Sequence, residues 1–197
     1  MNITTASLSA RACNQDHLSE IPGSRAACFV VCDGIAGAPG GEVAAKIACA
    51  SIVSHFEAES HLNLRHVRQE VNKANQAIRA GQKASPVYAR MGTTLVSLFI
   101  DRDDPLAYCA HAGDSRLYLF RRGWLRHVTT AHSLVQQMKN AGHDTDGINS
   151  NLLYFALGMS DNSREASYSY LKPVKDGEAF LLCTDGFWHG LSEAHCI

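Results

Sequence analysis

Cys28-Phe29-Val30-Val31-Cys32-Asp33-Gly34 is an apolar run of five residues that ends in a carboxylate and a glycine. Phe180-Leu181-Leu182-Cys183-Thr184-Asp185-Gly186 repeats the pattern near the other end of the chain. A short apolar run closed by turn residues reads as a buried strand. Each aspartate is therefore delivered by a rigid element, and the glycine behind it lets the backbone bend sharply. A third run, Leu106 to Ala112, ends in Gly113-Asp114-Ser115-Arg116. A single Asp-Gly is an ordinary turn pair. Three strand ends that each present an aspartate beside a glycine suit a hard divalent cation with oxygen ligands.

Outward from these runs the pattern alternates between helix and strand. Ala44, Ile47, Ala48, Ile52 and Phe56 share one face of a helix over Glu42–Phe56, after a glycine-rich loop at 35–41. Leu64, Val67, Val71, Ala74 and Ile78 mark a second helix, with Gly81 as its expected stop. From Met91 onward strands dominate: 93–100, then a turn at 101–105, then 106–112 running back. Segments 116–120 and 124–128 flank Arg121-Arg122-Gly123, a hairpin signature. A short helix is expected over 133–141, a surface loop over 143–151, and short strands near 152–156 and 167–171. Hairpin-linked strands with two long helices indicate an α+β sandwich and not a doubly wound parallel sheet.

At 197 residues, 46% hydrophobic and 19% charged, the chain fits one soluble domain over 1–197. A net charge of −1 gives no reason to expect nucleic acid or an anionic membrane as partner. No apolar stretch reaches the length of a membrane span and no leader pattern opens the chain, so the expected location is cytoplasmic. Seven cysteines form no Cys-x-x-Cys pair, and their odd number fits a reducing compartment better than a disulfide framework. The Walker phosphate loop, the dinucleotide fingerprint, the Gly-x-Ser-x-Gly elbow and His-Glu-x-x-His are all missing.

Five ordered motifs resemble the metal-dependent serine/threonine protein phosphatases of type 2C. Arg11-Ala-Cys-Asn-Gln-Asp16 looks like that family's N-terminal Arg…Asn-Glu-Asp motif. Val31-Cys-Asp-Gly-Ile-Ala-Gly37, followed by Gly40-Gly41-Glu42, is similar to its first Asp-Gly motif and the helix after it. Met91-Gly-Thr-Thr94, Gly113-Asp-Ser-Arg-Leu-Tyr118 and Leu182-Cys-Thr-Asp-Gly-Phe-Trp188 are similar to the next three signatures. The resemblance implies a four-layer αββα sandwich of two antiparallel sheets flanked by helices, with the metal site at one end of the sheets. It implies hydrolysis of phosphoserine and phosphothreonine by water activated between two Mn²⁺ or Mg²⁺ ions. Asp33 would bridge both ions, the Gly34 carbonyl would hold one and Asp185 the other. Asp114 would serve a third, weaker ion, and Asp16 would act through metal-bound water. Arg11 would fork onto the phosphate, where a planar guanidinium matches two oxygens. Implied partners are phosphorylated proteins, the products of a serine/threonine kinase, acted on by a bacterial, monomeric enzyme.

Four departures from the family pattern stand out. Gln15 occupies a position where glutamate is common, Ile35 one where animal members carry a histidine, and Ala131 the aspartate position of a Thr-x-Asp-His-Ser signature. The family also continues to an Asp-Asn motif, whereas Ile197 lies twelve residues after Asp185, so a C-terminally shortened domain is expected. Gln15, Ala131 and the absent motif support an alternative reading, a low-activity phosphatase-like module that binds phosphoproteins.

Overall fold

The computed structural model describes residues 2–8, 14–37, 39–56, 62–104, 106–159, 164–171 and 175–190. Among the described residues there are eight strands: β1 (Asp16–Ile21), β2 (Ala26–Asp33), β3 (Leu95–Asp101), β4 (Leu106–Ala112), β5 (Arg116–Arg121), β6 (Trp124–Val128), β7 (Ser167–Leu171) and β8 (Glu178–Cys183). Four α-helices accompany them: α1 (Gly41–Phe56), α2 (Leu64–Ala84), α3 (Leu134–Asn140) and α4 (Asp185–Trp188). The strands form two antiparallel sheets, a five-stranded one ordered β1-β2-β3-β4-β7 and a three-stranded one ordered β6-β5-β8. The α+β sandwich expected from the sequence is therefore present. Its helical layer over the larger sheet is α1 and α2, while α3 and α4 are only seven and four residues long.

Side-chain parity explains why the central strands read as continuous apolar runs. Along β2, Cys28, Val30 and Cys32 pack against Ile52, Phe56 and Val71 of the helices. The alternate residues Ala27, Phe29 and Val31 face the other way, into a second cluster with Val96, Leu98, Leu117 and Leu182. A strand buried on both faces loses the polar alternation of a half-exposed one. Asp33 shares the parity of Ala27, Phe29 and Val31, so its carboxylate emerges at the end of the inter-sheet core.

The expected boundaries need several corrections. The second helix continues through Gly81 to Ala84, with Asn63 capping its start. Gly81 is small for a different reason: a Cβ there would stand 2.5 Å from the Met91 Cε. No strand forms over 152–156, where Leu153 makes one isolated bridge, to Ser133, and Leu157 just beyond makes another, to Thr93. The hairpin between β5 and β6 is as expected, with Arg122 and Gly123 both at positive φ. β1 was not anticipated, because Asp16-His17-Leu18-Ser19-Glu20-Ile21 is a half-buried edge strand without an apolar run. Cys28, Cys32, Cys49, Cys109 and Cys183 are free and buried, as their apolar settings suggest.

Candidate active site

β1 and β2 pair so that Asp16 lies directly opposite Asp33. Residues directly opposite in an antiparallel pair project on the same face, and two carboxylates there repel. Asp185 opens α4 immediately after β8, and Asp114 sits in the short turn between β4 and β5. These four carboxylates line one cleft of about 370 Å³, together with Gly34, Gln15, Ile35 and Thr94. The cleft is also lined by Asn151, from the loop expected to be on the surface, and by Leu153, from the segment expected to be a strand. No lysine, arginine or histidine lines it among the described residues.

The electrostatics follow from this crowding. Burial, then the neighbouring charges of Asp16 and Asp185, push the Asp33 carboxyl up to about 9. Both neighbours come close enough to hydrogen-bond with it. Asp114 is raised to about 6, first by burial and then by Asp185, against the lowering influence of its own backbone, His189 and Arg116. A buried acid whose carboxyl is pushed up by burial and then by facing carboxylates would be relieved by a cation. Among the described residues, no three histidine, cysteine, aspartate or glutamate side chains already close into a metal cage. The donor set nonetheless fits a hard divalent ion, since its oxygen ligands converge from four separate elements onto one cleft.

The loops that carry these aspartates are tied to each other by hydroxyl groups. The Asp33 backbone N–H donates to Thr94 Oγ1 at 2.9 Å, and Thr94 N–H donates to the Asp33 carbonyl at 2.8 Å. Thr94 Oγ1 is 2.6 Å from Ser115 Oγ. Thr184 Oγ1 donates to Asp16 Oδ2 at 3.2 Å, linking β8 to β1. Trp188 Nε1 donates to the Asp114 carbonyl at 3.0 Å, and its ring lies 3.5 Å from the Arg116 guanidinium carbon. Gly34 is packed so closely on α1 that a Cβ would stand 2.5 Å from the Gly41 carbonyl oxygen.

Of the residues singled out by sequence, Asp16, Asp33, Gly34, Asp114 and Asp185 come together, whereas Arg11 lies outside the described residues. Gln15 and Ile35 also line the cleft. Ala131 is buried outside it, and the neighbouring His132 is buried against His111 with rings stacked at 4.7 Å. Burial and then His111 hold His132 down to about 4. Sequence reasoning assigned no role to Thr94, Ser115 or Trp188. All three stand inside the quoted motifs, and that is the signal available for them.

A sequence profile of the protein phosphatase 2C family matches residues 4–195. The serine/threonine phosphatase stp of Listeria welshimeri is 28% identical over 174 residues, which cover 83% of this chain and 68% of that protein. Among solved structures, the catalytic domain of the serine/threonine protein phosphatase PstP in complex with two manganese ions superposes with a TM-score of 0.80. It shares 28% identity and covers 95% of this chain and 77% of that one. The Staphylococcus aureus phosphatase Stp1 has the same fold, with a TM-score of 0.85 at 23% identity, over 98% and 78% of the two chains.

Proposed function

Because this chain belongs to the protein phosphatase 2C family over residues 4–195, we propose that it is a metal-dependent serine/threonine phosphatase acting on phosphorylated proteins. One observation carries the reading: four aspartates from separate elements line one cleft without a basic side chain among its described lining residues. Asp33, the Gly34 carbonyl, Asp185 and Asp16 would hold two Mn²⁺ or Mg²⁺ ions, and Asp114 a further one. PstP, a relative by both sequence and fold, is described with two manganese ions, which supports this assignment. Bound there, paired divalent ions neutralise charge on the phosphoryl oxygens and acidify a water nucleophile.

The chain's own residues supply orientation. β1 and β2 fix Asp16 and Asp33 on one face, and Gly34, which lines the same cleft, permits the close approach of α1. Arg11, from the motif that ends in Asp16, would clamp the phosphate. Ile35 gives the cleft no titratable group at that point of its wall, so it offers no side-chain acid for the leaving group there. The substrates would be phosphoproteins made by a serine/threonine kinase, met by a monomeric, cytoplasmic enzyme. No helix among the described residues is long and apolar enough to cross a membrane.

A binding module with little turnover is favoured by one observation: among the described residues no three ligating side chains form a ready-made cage. The assay that separates the two uses p-nitrophenyl phosphate and a phosphothreonine peptide, with Mn²⁺ or Mg²⁺ added. Hydrolysis that needs the metal and stops with a chelator supports the enzyme. Peptide binding without release of phosphate supports the module. Turnover that survives thorough chelation overturns the binuclear site.

A further inference from the structure

Thr94 stands where two of the acidic loops meet. Its backbone N–H and side-chain oxygen grip both sides of the Asp33 peptide, at 2.8 Å to the carbonyl and 2.9 Å from the N–H. The same hydroxyl contacts Ser115 Oγ at 2.6 Å, and Ser115 follows Asp114. Thr94 is 3% exposed and Ser115 1%, so water does not compete for these bonds. The methyl group is engaged as well. Gly113 has φ +96°, and a Cβ on it would fall 2.7 Å from Thr94 Cγ2. Thr93 reinforces the arrangement, donating its hydroxyl to the Asp33 carbonyl at 2.9 Å.

We infer that Thr94 is a positioning residue that locks the Asp33 strand end to the Gly113-Asp114 turn through its contact with Ser115, setting the spacing of carboxylates from two elements. A hydroxyl has one proton and two lone pairs, so Thr94 Oγ1 can bond both partners whichever hydroxyl donates. Asp33 lies in the larger sheet, and Asp114 leads into β5 of the smaller one. The pin thus bridges the mouth of the inter-sheet core, where carboxylates that repel each other would otherwise spread apart. Groups that orient metal ligands without touching the metal typically matter 10–100-fold in affinity.

The inference rests on the metal-site reading, and its test tells the two apart. Mn²⁺ affinity is measured by titration calorimetry on the folded parent, Thr94→Val, Thr94→Ser and Ser115→Ala, with melting temperature recorded alongside. Valine keeps the shape and loses the hydroxyl, whereas serine keeps the hydroxyl and loses the methyl. Thr94→Val is expected to bind Mn²⁺ roughly 10- to 100-fold more weakly, Thr94→Ser within a few-fold of the parent, and Ser115→Ala in between. If Thr94→Val does not fold, Ser115→Ala carries the test, and parental Mn²⁺ affinity in it overturns the inference. Parental affinity in a folded Thr94→Val also overturns it, as does a Thr94→Ser variant as weak as valine. A folded parent that binds no Mn²⁺ overturns the metal site itself, and the pin falls with it.

Discussion

Asp33 carries an energetic cost of its own. It is pushed up to about 9 by burial and by two other carboxylates, so at neutral pH without metal it holds a proton. An asparagine has nearly the same shape and no charge to crowd. Asp33→Asn is therefore expected to melt at or above the parental temperature in the presence of a chelator, while turnover with metal falls roughly a hundredfold or more. A variant that keeps near-parental turnover would show that Asp33 is not the central ligand. His132 has the opposite sense. Its imidazole is held down to about 4 by burial and by His111, against an ordinary value of 6.5. The Gly113 N–H donates to Nδ1 at 3.2 Å, so Nε2 carries the proton toward Ser167 Oγ, 2.8 Å away. A second proton would break that bond to Gly113. As pH falls from about 6.5 to about 4, the unfolded chain takes up the proton first and stability is lost. That gap corresponds to roughly 3 kcal/mol. His132→Gln should flatten the fall of melting temperature in that window, and an unchanged slope would refute the assignment.

At the level of elements, glycines that look alike in the sequence separate by what stands against them. A Cβ on Gly34 would meet the backbone of Gly41 and Glu42 at the start of α1, which cannot move without displacing the helix. A Cβ on Gly81 would clash with the terminal methyl of Met91, which can swing away, and would sit at ordinary contact distance, 3.5 Å, from Ile47 Cδ1. Gly81→Ala also gains helix propensity within α2, about 1 kcal/mol relative to glycine. Gly34→Ala is thus expected to cost about 3 kcal/mol or more and to abolish activity, while Gly81→Ala should lie within about 1 kcal/mol of the parent. Equal melting temperatures for the two would contradict this packing. The same contrast shows what the sequence can reveal. Asp33, Asp114 and Asp185 are legible because each is bound locally to an apolar run and a glycine. α1 and α2 are legible because one face of each is apolar at helical spacing. Asp16 is legible through its motif, but the strand beneath it is not, since an edge strand that is half exposed need not be apolar. Segment 152–156 misleads in the other direction. Phe155 and Ala156 serve burial in a loop whose one bridge within the segment is Leu153 to Ser133. Thr94 shows no role until the fold brings Ser115 beside it, because a contact across 21 residues of chain leaves no local pattern.

For the whole molecule, the cleft is a place where both sheets present carboxylates to each other. Asp16 and Asp33 come from the five-stranded sheet, and Asp114 and Asp185 flank strands of the three-stranded one. Elsewhere the sheets are held by apolar contacts such as Leu98 with Leu117 and Leu182. Here they are held against like-charge repulsion. A ligand that binds the native arrangement and not the unfolded chain stabilises by mass action, about 2.7 kcal/mol at one hundred times its dissociation constant. For a chain of this size, that corresponds to roughly 5–10 °C in melting temperature. Mn²⁺ should therefore raise the melting temperature of chelator-treated protein by about that amount, and excess chelator should reverse it. Asp33→Asn should lose most of the shift, because the carboxylate facing the other two is gone. Arg25→Ala, which removes an exposed ion pair with Asp103 at the opposite end of β2, should keep all of it. If Mn²⁺ leaves the parent's melting temperature unchanged while the protein hydrolyses p-nitrophenyl phosphate, the cation does not join the two sheets. The catalytic groups would then have to be sought outside these four aspartates.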